Sequence, residues 1–135
     1  MSEGHQEMKD RAVVLTVGVS DTMAARLRHA ACSQGDFKLV EADGTAEAQS
    51  ILRDAAPDVV IVNLALEDQG PVAFADYVAF RRPQARVIFE MGPGGAFSDG
   101  SIFAHAPTAR GVVTPGMPTG DVAAVVAHHA MAAAG

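Results

Sequence analysis

The sequence has little cysteine and no long apolar run, and each shortage excludes a class of protein. The only thiol, Cys32, cannot form an internal disulfide, so the chain lacks the signature of an oxidising compartment. No stretch approaches the roughly 20 apolar residues of a membrane-spanning helix. Residues 1–10 are polar and lack the apolar core of a secretion signal. We therefore expect a cytoplasmic protein with no membrane segment and a flexible tail over residues 1–10.

Positive charge is also scarce. Ten Lys and Arg residues face 16 Asp and Glu residues, which gives a formal net charge of −6. A domain that binds a phosphate backbone presents a basic surface, so we expect no nucleic-acid binding by this segment. With 49% hydrophobic and 19% charged residues, the composition is typical of a globular chain. A length of 135 residues suits one domain, which we place at residues 11–135.

Short apolar runs alternate with segments of helical periodicity along the whole chain. The runs predicted as strands are 12–17, 37–40, 59–62, 87–89 and 111–113. Helices are predicted after Ser20, from Thr45, from Pro71, over 98–105 and from Thr119. The stretch 92–95, GPGG, lacks the spacing of a phosphate-binding loop and is predicted to be a mobile connection.

This alternation predicts an α/β fold. Strands joined through helices pair in parallel by right-handed crossovers. The prediction is a single-domain, five-stranded parallel sheet with helices on both faces, doubly wound and flavodoxin-like. Ligands of such sheets bind at the carboxyl ends of the strands. The loops that begin at Gly18, Asn63, Glu90 and Thr114 therefore form the candidate site.

The order of elements resembles the receiver domains of bacterial response regulators, from residue 11 to the last helix. Two segments carry the resemblance: residues 58–66, DVVIVNLAL, with Gly70 behind them, and residues 111–115, GVVTP. In the family, the first corresponds to the strand that bears the phosphoacceptor aspartate. The second corresponds to the strand that ends in a lysine–proline pair. The resemblance implies a role in two-component signal transduction.

The residues that would perform the family's phosphorylation are replaced here. A receiver's acceptor carboxylate attacks a phosphoryl group while magnesium neutralises charge. Asn63 stands at the acceptor position, and an amide cannot form an acyl phosphate. Gly18 and Val19 stand where the family has two acidic residues that hold magnesium, a cation that prefers oxygen ligands.

Three further positions depart from the family's pattern. Thr114 replaces the lysine that pairs with the phosphoryl oxygens. Glu90 replaces a threonine or serine, and its negative charge would repel phosphate. Gly111 stands at the aromatic switch position of the fifth strand. We therefore predict a degenerate receiver, or pseudo-receiver, that is not an enzyme and uses no metal or cofactor.

The polar residues of this edge also have ordinary structural interpretations. An Asn at a strand end commonly satisfies nearby backbone groups, and we expect this of Asn63. For Glu90 we expect a side chain that turns to solvent or pairs with an arginine. The alternative is a partly buried Glu90 beside Asn63, with a raised pKa that senses pH.

Two pairs of neighbouring residues are also expected to be structural. His128 and His129 point about 100° apart on a helix, so they cannot easily share a metal ion. A solvated His128 and a packed His129 are predicted. Arg81 and Arg82 are predicted to form a solvated helix end that the helix dipole favours.

Without phosphorylation chemistry, the predicted function is protein–protein interaction in signalling or localisation. By the resemblance, the partner surface comprises the helix over 98–105, the fifth strand and the last helix, with Ile102, Phe103 and Met117 as accessible apolar residues. The ordinary alternative places these three side chains in the core. The partner would be an unidentified protein, a second copy of the chain, or an output domain in a longer chain.

Two other functions remain open on the sequence. One is a small-ligand sensor that uses the altered pocket of Asn63, Glu90 and Thr114. The other is a conventional phospho-accepting receiver with an atypical site. The second would need Asp21, Glu67 or Asp68 to supply the missing carboxylates.

Overall fold

A computed structural model describes residues 12–34, 37–65, 70–91, 109–114 and 116–134. Its strands are β1 (Ala12–Val17), β2 (Phe37–Ala42), β3 (Val59–Asn63), β4 (Arg86–Glu90) and β5 (Ala109–Val113). Its helices are α1 (Asp21–Gln34), α2 (Thr45–Asp54), α3 (Pro71–Arg81) and α4 (Thr119–Ala134). The predicted tail, the 92–95 connection and the helix over 98–105 lie outside the described residues.

The five strands form one parallel sheet in the order β2-β1-β3-β4-β5. This is the flavodoxin-like order of a doubly wound sheet, so the predicted fold class is confirmed. The chain reverses its direction of winding between β1 and β3, the two strands at the switch point. β3 is central, and its first four residues are completely buried, as its unbroken apolar run predicts.

Two apolar layers cover the two faces of the sheet. On one face, α2 and α3 pack through Leu52, Phe74 and Val78 against alternate residues of the strands. On the other face, α1 and α4 pack through Met23, Leu27, Val122 and Val126 against the remaining alternate residues. Because strand side chains alternate between faces, each strand contributes to both layers.

The helix boundaries follow the sequence signals closely. Pro71 occupies the first turn of α3, where its missing amide hydrogen is not needed. Gly70 precedes it with a φ of 85°, a left-handed conformation that favours glycine. Thr45 is the first residue of α2 rather than its cap, and Gly44 takes the cap position. Among the described residues, no helix combines the length and apolarity needed to cross a membrane.

Candidate functional site

The strand register brings the candidate positions to one edge of the sheet. Val17 pairs with Val62, Asn63 with Glu90, and Glu90 with Val113. The ends of β1, β3, β4 and β5 are therefore aligned. The residues that follow these ends include Gly18 and Thr114, so the predicted loops share one edge.

Asn63 uses both ends of its amide inside the protein. Its Nδ2 donates to the carbonyl oxygen of Gly18 at 3.0 Å. Its Oδ1 accepts from the backbone amide of Ala65 at 2.8 Å. The side chain thus joins the loop after β1 to the turn after β3. This is the backbone-satisfying geometry that the sequence predicts for Asn63.

The position of Gly18 is explained by its backbone conformation and its backbone hydrogen bond. Its φ of 60° lies in the left-handed region, where a residue with a Cβ is strained. Its amide donates to the carbonyl of Ala42 at 2.8 Å. Val19 is half-buried and packs against the layer formed by α1 and α4. Neither residue has a side-chain oxygen, so neither offers a hard cation a side-chain ligand.

Glu90 lies inside the protein, which corrects the prediction of a solvated or arginine-paired side chain. The residue is only 2% exposed. Its Oε1 accepts from the amide of Ser20 at 2.8 Å, and its Oε2 accepts from the Ser20 hydroxyl at 2.5 Å. These are the short distances of charge-assisted hydrogen bonds. Both carboxylate oxygens are therefore occupied by one residue of the loop after β1.

Ser20 is the residue whose role in this network the sequence did not reveal. As predicted it caps α1, since the Met23 amide donates to Ser20 Oγ at 3.1 Å. The same hydroxyl donates to Glu90, so the carboxylate sits at the positive end of α1. Two features of the sequence could have suggested the pair. Ser20 caps a helix soon after the end of β1, and Glu90 ends β4, so both residues lie at the same edge of a parallel sheet.

At the end of β5 the chain turns back on itself. The Thr114 amide donates to the sulfur of Met117 at 3.4 Å, and the Met117 amide donates to the Thr114 carbonyl at 3.1 Å. Met117 is half-buried and packs against the α1–α4 layer. Its side chain therefore has the core-facing position that was the ordinary alternative to an interface. Ile102 and Phe103 lie outside the described residues.

Gly111, the predicted switch position, faces the last helix. His129 of α4 lies over it, and a Cβ added at Gly111 would be 2.8 Å from His129 Nε2. His129 is 8% exposed, whereas His128 is exposed, as the sequence predicts. Burial lowers the pKa of His129, and electrostatic repulsion from Arg86 and His128 lowers it further.

A cavity of about 240 Å³ lies beside this edge, between β1, β2 and α1. It is lined by Thr16, Gly18, Val19, Asp21, Ala24, Arg28, Glu41, Ala42 and Asp43. Asn63, Glu90 and Thr114 are not part of this lining. Within the described ranges, no three His, Cys, Asp or Glu side chains come together as potential metal ligands. Asp21 is exposed in the first turn of α1, and Glu67 and Asp68 lie outside the described residues.

Arg82 also departs from its prediction. Its Nη2 and Nε donate to the carbonyl of Leu52 at 2.7 and 3.1 Å. Nη2 also approaches the carbonyl of Arg53 at 3.4 Å. The guanidinium therefore satisfies the last carbonyls of α2 instead of being solvated. Arg81 is exposed, as expected.

Solved structures of receiver domains have the same architecture. A CheY-like response regulator receiver domain protein from Methanospirillum hungatei JF-1 superimposes with a TM-score of 0.74 at 10% identity. That match covers 91% of this chain and 95% of the other. A response regulator from Thermotoga maritima gives a TM-score of 0.75 at 16% identity, with coverages of 90% and 98%. The fold is that of a receiver domain.

A third similar structure has the same fold. The signal receiver domain of a putative Luxo repressor protein from Vibrio parahaemolyticus gives a TM-score of 0.75 at 17% identity. It covers 91% of this chain and 92% of the other. No family model matches the sequence, and no curated protein matches it. At these identities the similarity establishes the receiver fold and leaves the chemistry to the residues themselves.

Proposed function

We propose that this chain is a pseudo-receiver: a signalling module with the receiver fold that works by binding a protein partner, without accepting a phosphoryl group. The observation that carries the proposal is the hydrogen-bond network at the strand ends. Asn63 joins the Gly18 carbonyl to the Ala65 amide, and Glu90 joins the β4 end to Ser20. The polar groups at this edge bind one another.

Phosphoryl transfer to a side chain needs a nucleophile, and the central strand end offers an amide. The nearest described carboxylate on a strand of this edge belongs to Glu90, which is buried and bound through both oxygens. An incoming phosphoryl group would have to displace Ser20 and would meet the negative charge of Glu90. This geometry supports a site that stays unmodified.

The same network argues against a small-ligand sensor at Asn63, Glu90 and Thr114. A binding pocket needs polar groups that are free to turn towards the ligand. The amide of Asn63 and the carboxylate of Glu90 already have internal partners at 2.5–3.0 Å. A ligand would have to replace these bonds with others of equal quality, which favours the partner-binding function.

The partner surface is proposed to include the outer side of α4. Met131 on this helix is 75% exposed, and Ala124 and His128 are exposed on the same side at helical spacing. α4 is rich in Ala and Val and carries a single charged residue, Asp121 in its first turn. An outward apolar side chain there contributes area that a partner can bury.

The test is retention of partner proteins from the source cell's lysate by the immobilised chain, with and without a small phosphodonor and magnesium. Met131→Asp is compared with Phe80→Asp, because Phe80 is the other large apolar side chain that is strongly exposed among the described residues, and it lies on α3, on the opposite face of the sheet. We expect a partner that the wild type and Phe80→Asp retain equally and that Met131→Asp loses. Retention that requires the phosphodonor would contradict the proposal.

A further inference from the structure

The imidazole of His129 fills the space above a residue that has no side chain. It lies on α4 and covers Gly111 of β5, close enough that a Cβ there would be 2.8 Å from Nε2. Cβ atoms essentially never come this close to a non-bonded heavy atom, so a side chain at Gly111 would force the imidazole or the strand to shift. Since His129 is 8% exposed, this contact is part of the seam between α4 and the sheet.

Two buried nitrogens in this region have no hydrogen-bond partner within the described part of the chain. They are His129 Nδ1 and Arg86 Nε. Arg86 lies at the start of β4, next to β5 in the sheet. Burial, Arg86 and His128 all disfavour the charged imidazole, so the pKa of His129 lies below its ordinary value. The docked helix therefore accepts a neutral His129 and opposes a protonated one.

Among the described residues, the elements around His129 supply little that would stabilise its positive charge. The buried residues that α1 and β3 contribute to this layer include Leu27, Ala30, Val59 and Ile61, which are apolar. Arg28 on α1 is exposed and paired with Glu41. Arg26 lines a groove beside Thr119, ten residues from His129 and thus about 15 Å along α4.

The remaining charged groups that the structure describes near this face bind other partners or are distant. Glu90 lies four residues beyond Arg86 along β4, about 13 Å away, and binds Ser20. Asp58 directs Oδ2 to the Val13 amide at 2.8 Å.

Asp121 lies in the first turn of α4, eight residues and about 12 Å from His129. Arg110 is exposed, and alternation along β5 directs it away from α4, while His29 is exposed on α1.

We propose that His129 is a proton-controlled latch between α4 and β5. The neutral imidazole packs over Gly111 and holds α4 against the sheet, whereas the imidazolium loosens the helix and uncovers its apolar inner side at Val122 and Val126. This inference is independent of the proposed pseudo-receiver function, because it concerns the helix seam and not the strand-end network.

The direction of the pH effect follows from linkage. His129 has a lower pKa when α4 is docked than when it is free, where imidazole titrates near pH 6.5. The free state therefore binds more protons, and docking is favoured at higher pH. Docking is at full strength above about pH 6.5 and weakens as the pH falls towards the pKa of the docked state, by up to about tenfold per pH unit.

Hydrogen exchange of backbone amides at about pH 7.5 and 5.5, corrected for intrinsic exchange, tests the latch. We expect protection of α4 relative to α2 to fall several-fold at the lower pH in the wild type. The fall should persist in His128→Gln, which changes the exposed neighbour, and disappear in His129→Gln. Relative protection that is independent of pH, or a fall retained in His129→Gln, would overturn the proposal.

If His129→Gln does not fold, an NMR titration of the wild type tests the latch instead. The expected midpoint for the His129 ring lies below 6.5, with a parallel shift of the Gly111 amide resonance. A midpoint at or above 6.5, or a Gly111 amide that does not respond, would overturn the latch equally.

Discussion

Glu90 at the end of β4 holds Ser20, 70 residues earlier in the chain, through both of its carboxylate oxygens. Ser20 follows β1, and β3 lies between β1 and β4 in the sheet, so this contact spans the end of the central strand. Asn63, at that end, makes its own bond to Gly18. The side chains of Asn63 and Glu90 are therefore both bound within the protein at this edge of the sheet.

Removing the charge of Glu90 is expected to destabilise the fold. In Glu90→Gln, one oxygen becomes a donor that faces the Ser20 donors, and the charge-assisted bonds are lost. We expect a loss of about 1–3 kcal/mol in the free energy of unfolding, measured with urea. Glu41→Gln is the matched control, because Glu41 is an exposed carboxylate in an ion pair with Arg28 and should matter much less. An equal effect of the two changes would contradict the network.

Gly111 should tolerate alanine only when His129 is shortened. Gly111→Ala places a methyl group 2.8 Å from His129 Nε2, and we expect a cost of about 1–3 kcal/mol from overpacking. In the double variant with His129→Ala the cost should largely disappear, which a double-mutant cycle measures. Gly120→Ala, where nothing lies within 4 Å, is the control and should be neutral or stabilising. Additive effects of the two changes would show that they do not touch.

Arg82 and Arg81 form a second matched pair. Arg82→Ala removes the donors that satisfy the Leu52 and Arg53 carbonyls at the end of α2. We expect it to cost about 1–2 kcal/mol of unfolding free energy, as capping contacts do. Arg81→Ala changes an exposed side chain and should stay within about 0.5 kcal/mol. Thermal and urea unfolding of both variants measures the two losses. A larger loss for Arg81→Ala than for Arg82→Ala would contradict the capping role of Arg82.

Introducing a carboxylate at position 63 is expected to destabilise the fold at neutral pH. Asn63→Asp loses the donor to the Gly18 carbonyl and adds a negative charge beside Glu90, its partner in the strand register. The introduced carboxyl should have a raised pKa, so the variant loses stability as pH rises through that pKa. Unfolding at about pH 5 and pH 8, compared with Asn63→Ala, measures this. A variant that gains stability with pH would contradict the geometry.

The sheet was predictable because its signals are local. The unbroken apolar run at β3 indicates a strand buried on both faces. Pro71 marks the start of a helix, and Gly18 marks the end of β1. Parallel pairing follows from the alternation and from the handedness of crossovers, whereas the flavodoxin-like strand order was predicted together with the receiver resemblance. The strands in the structure are longer than predicted by one to two residues at several ends, as at Arg86 and Glu90, where polar residues continue the backbone ladder.

The polar contacts were harder to predict, because they join residues far apart in sequence. Glu90 was expected to be solvated or paired with an arginine, because its partner Ser20 becomes apparent only once the β1 and β4 ends are aligned. Arg82 was expected to be solvated, yet the end of α2 lies within its reach. Asn63 was predicted correctly, since one of its two partners, Ala65, is only two residues away.

The most direct test of the pseudo-receiver function is intact-mass analysis and calorimetry with magnesium and either a small phosphodonor or beryllofluoride. A receiver domain with an intact acidic site serves as the positive control. We expect no phosphoryl mass gain and no magnesium-dependent heat for this chain, because its strand-end groups are an amide and a carboxylate already bound to Ser20. A phosphoryl adduct, or beryllofluoride binding that Asp21→Asn or Asp68→Asn abolishes, would contradict the proposal and identify a working phosphorylation site.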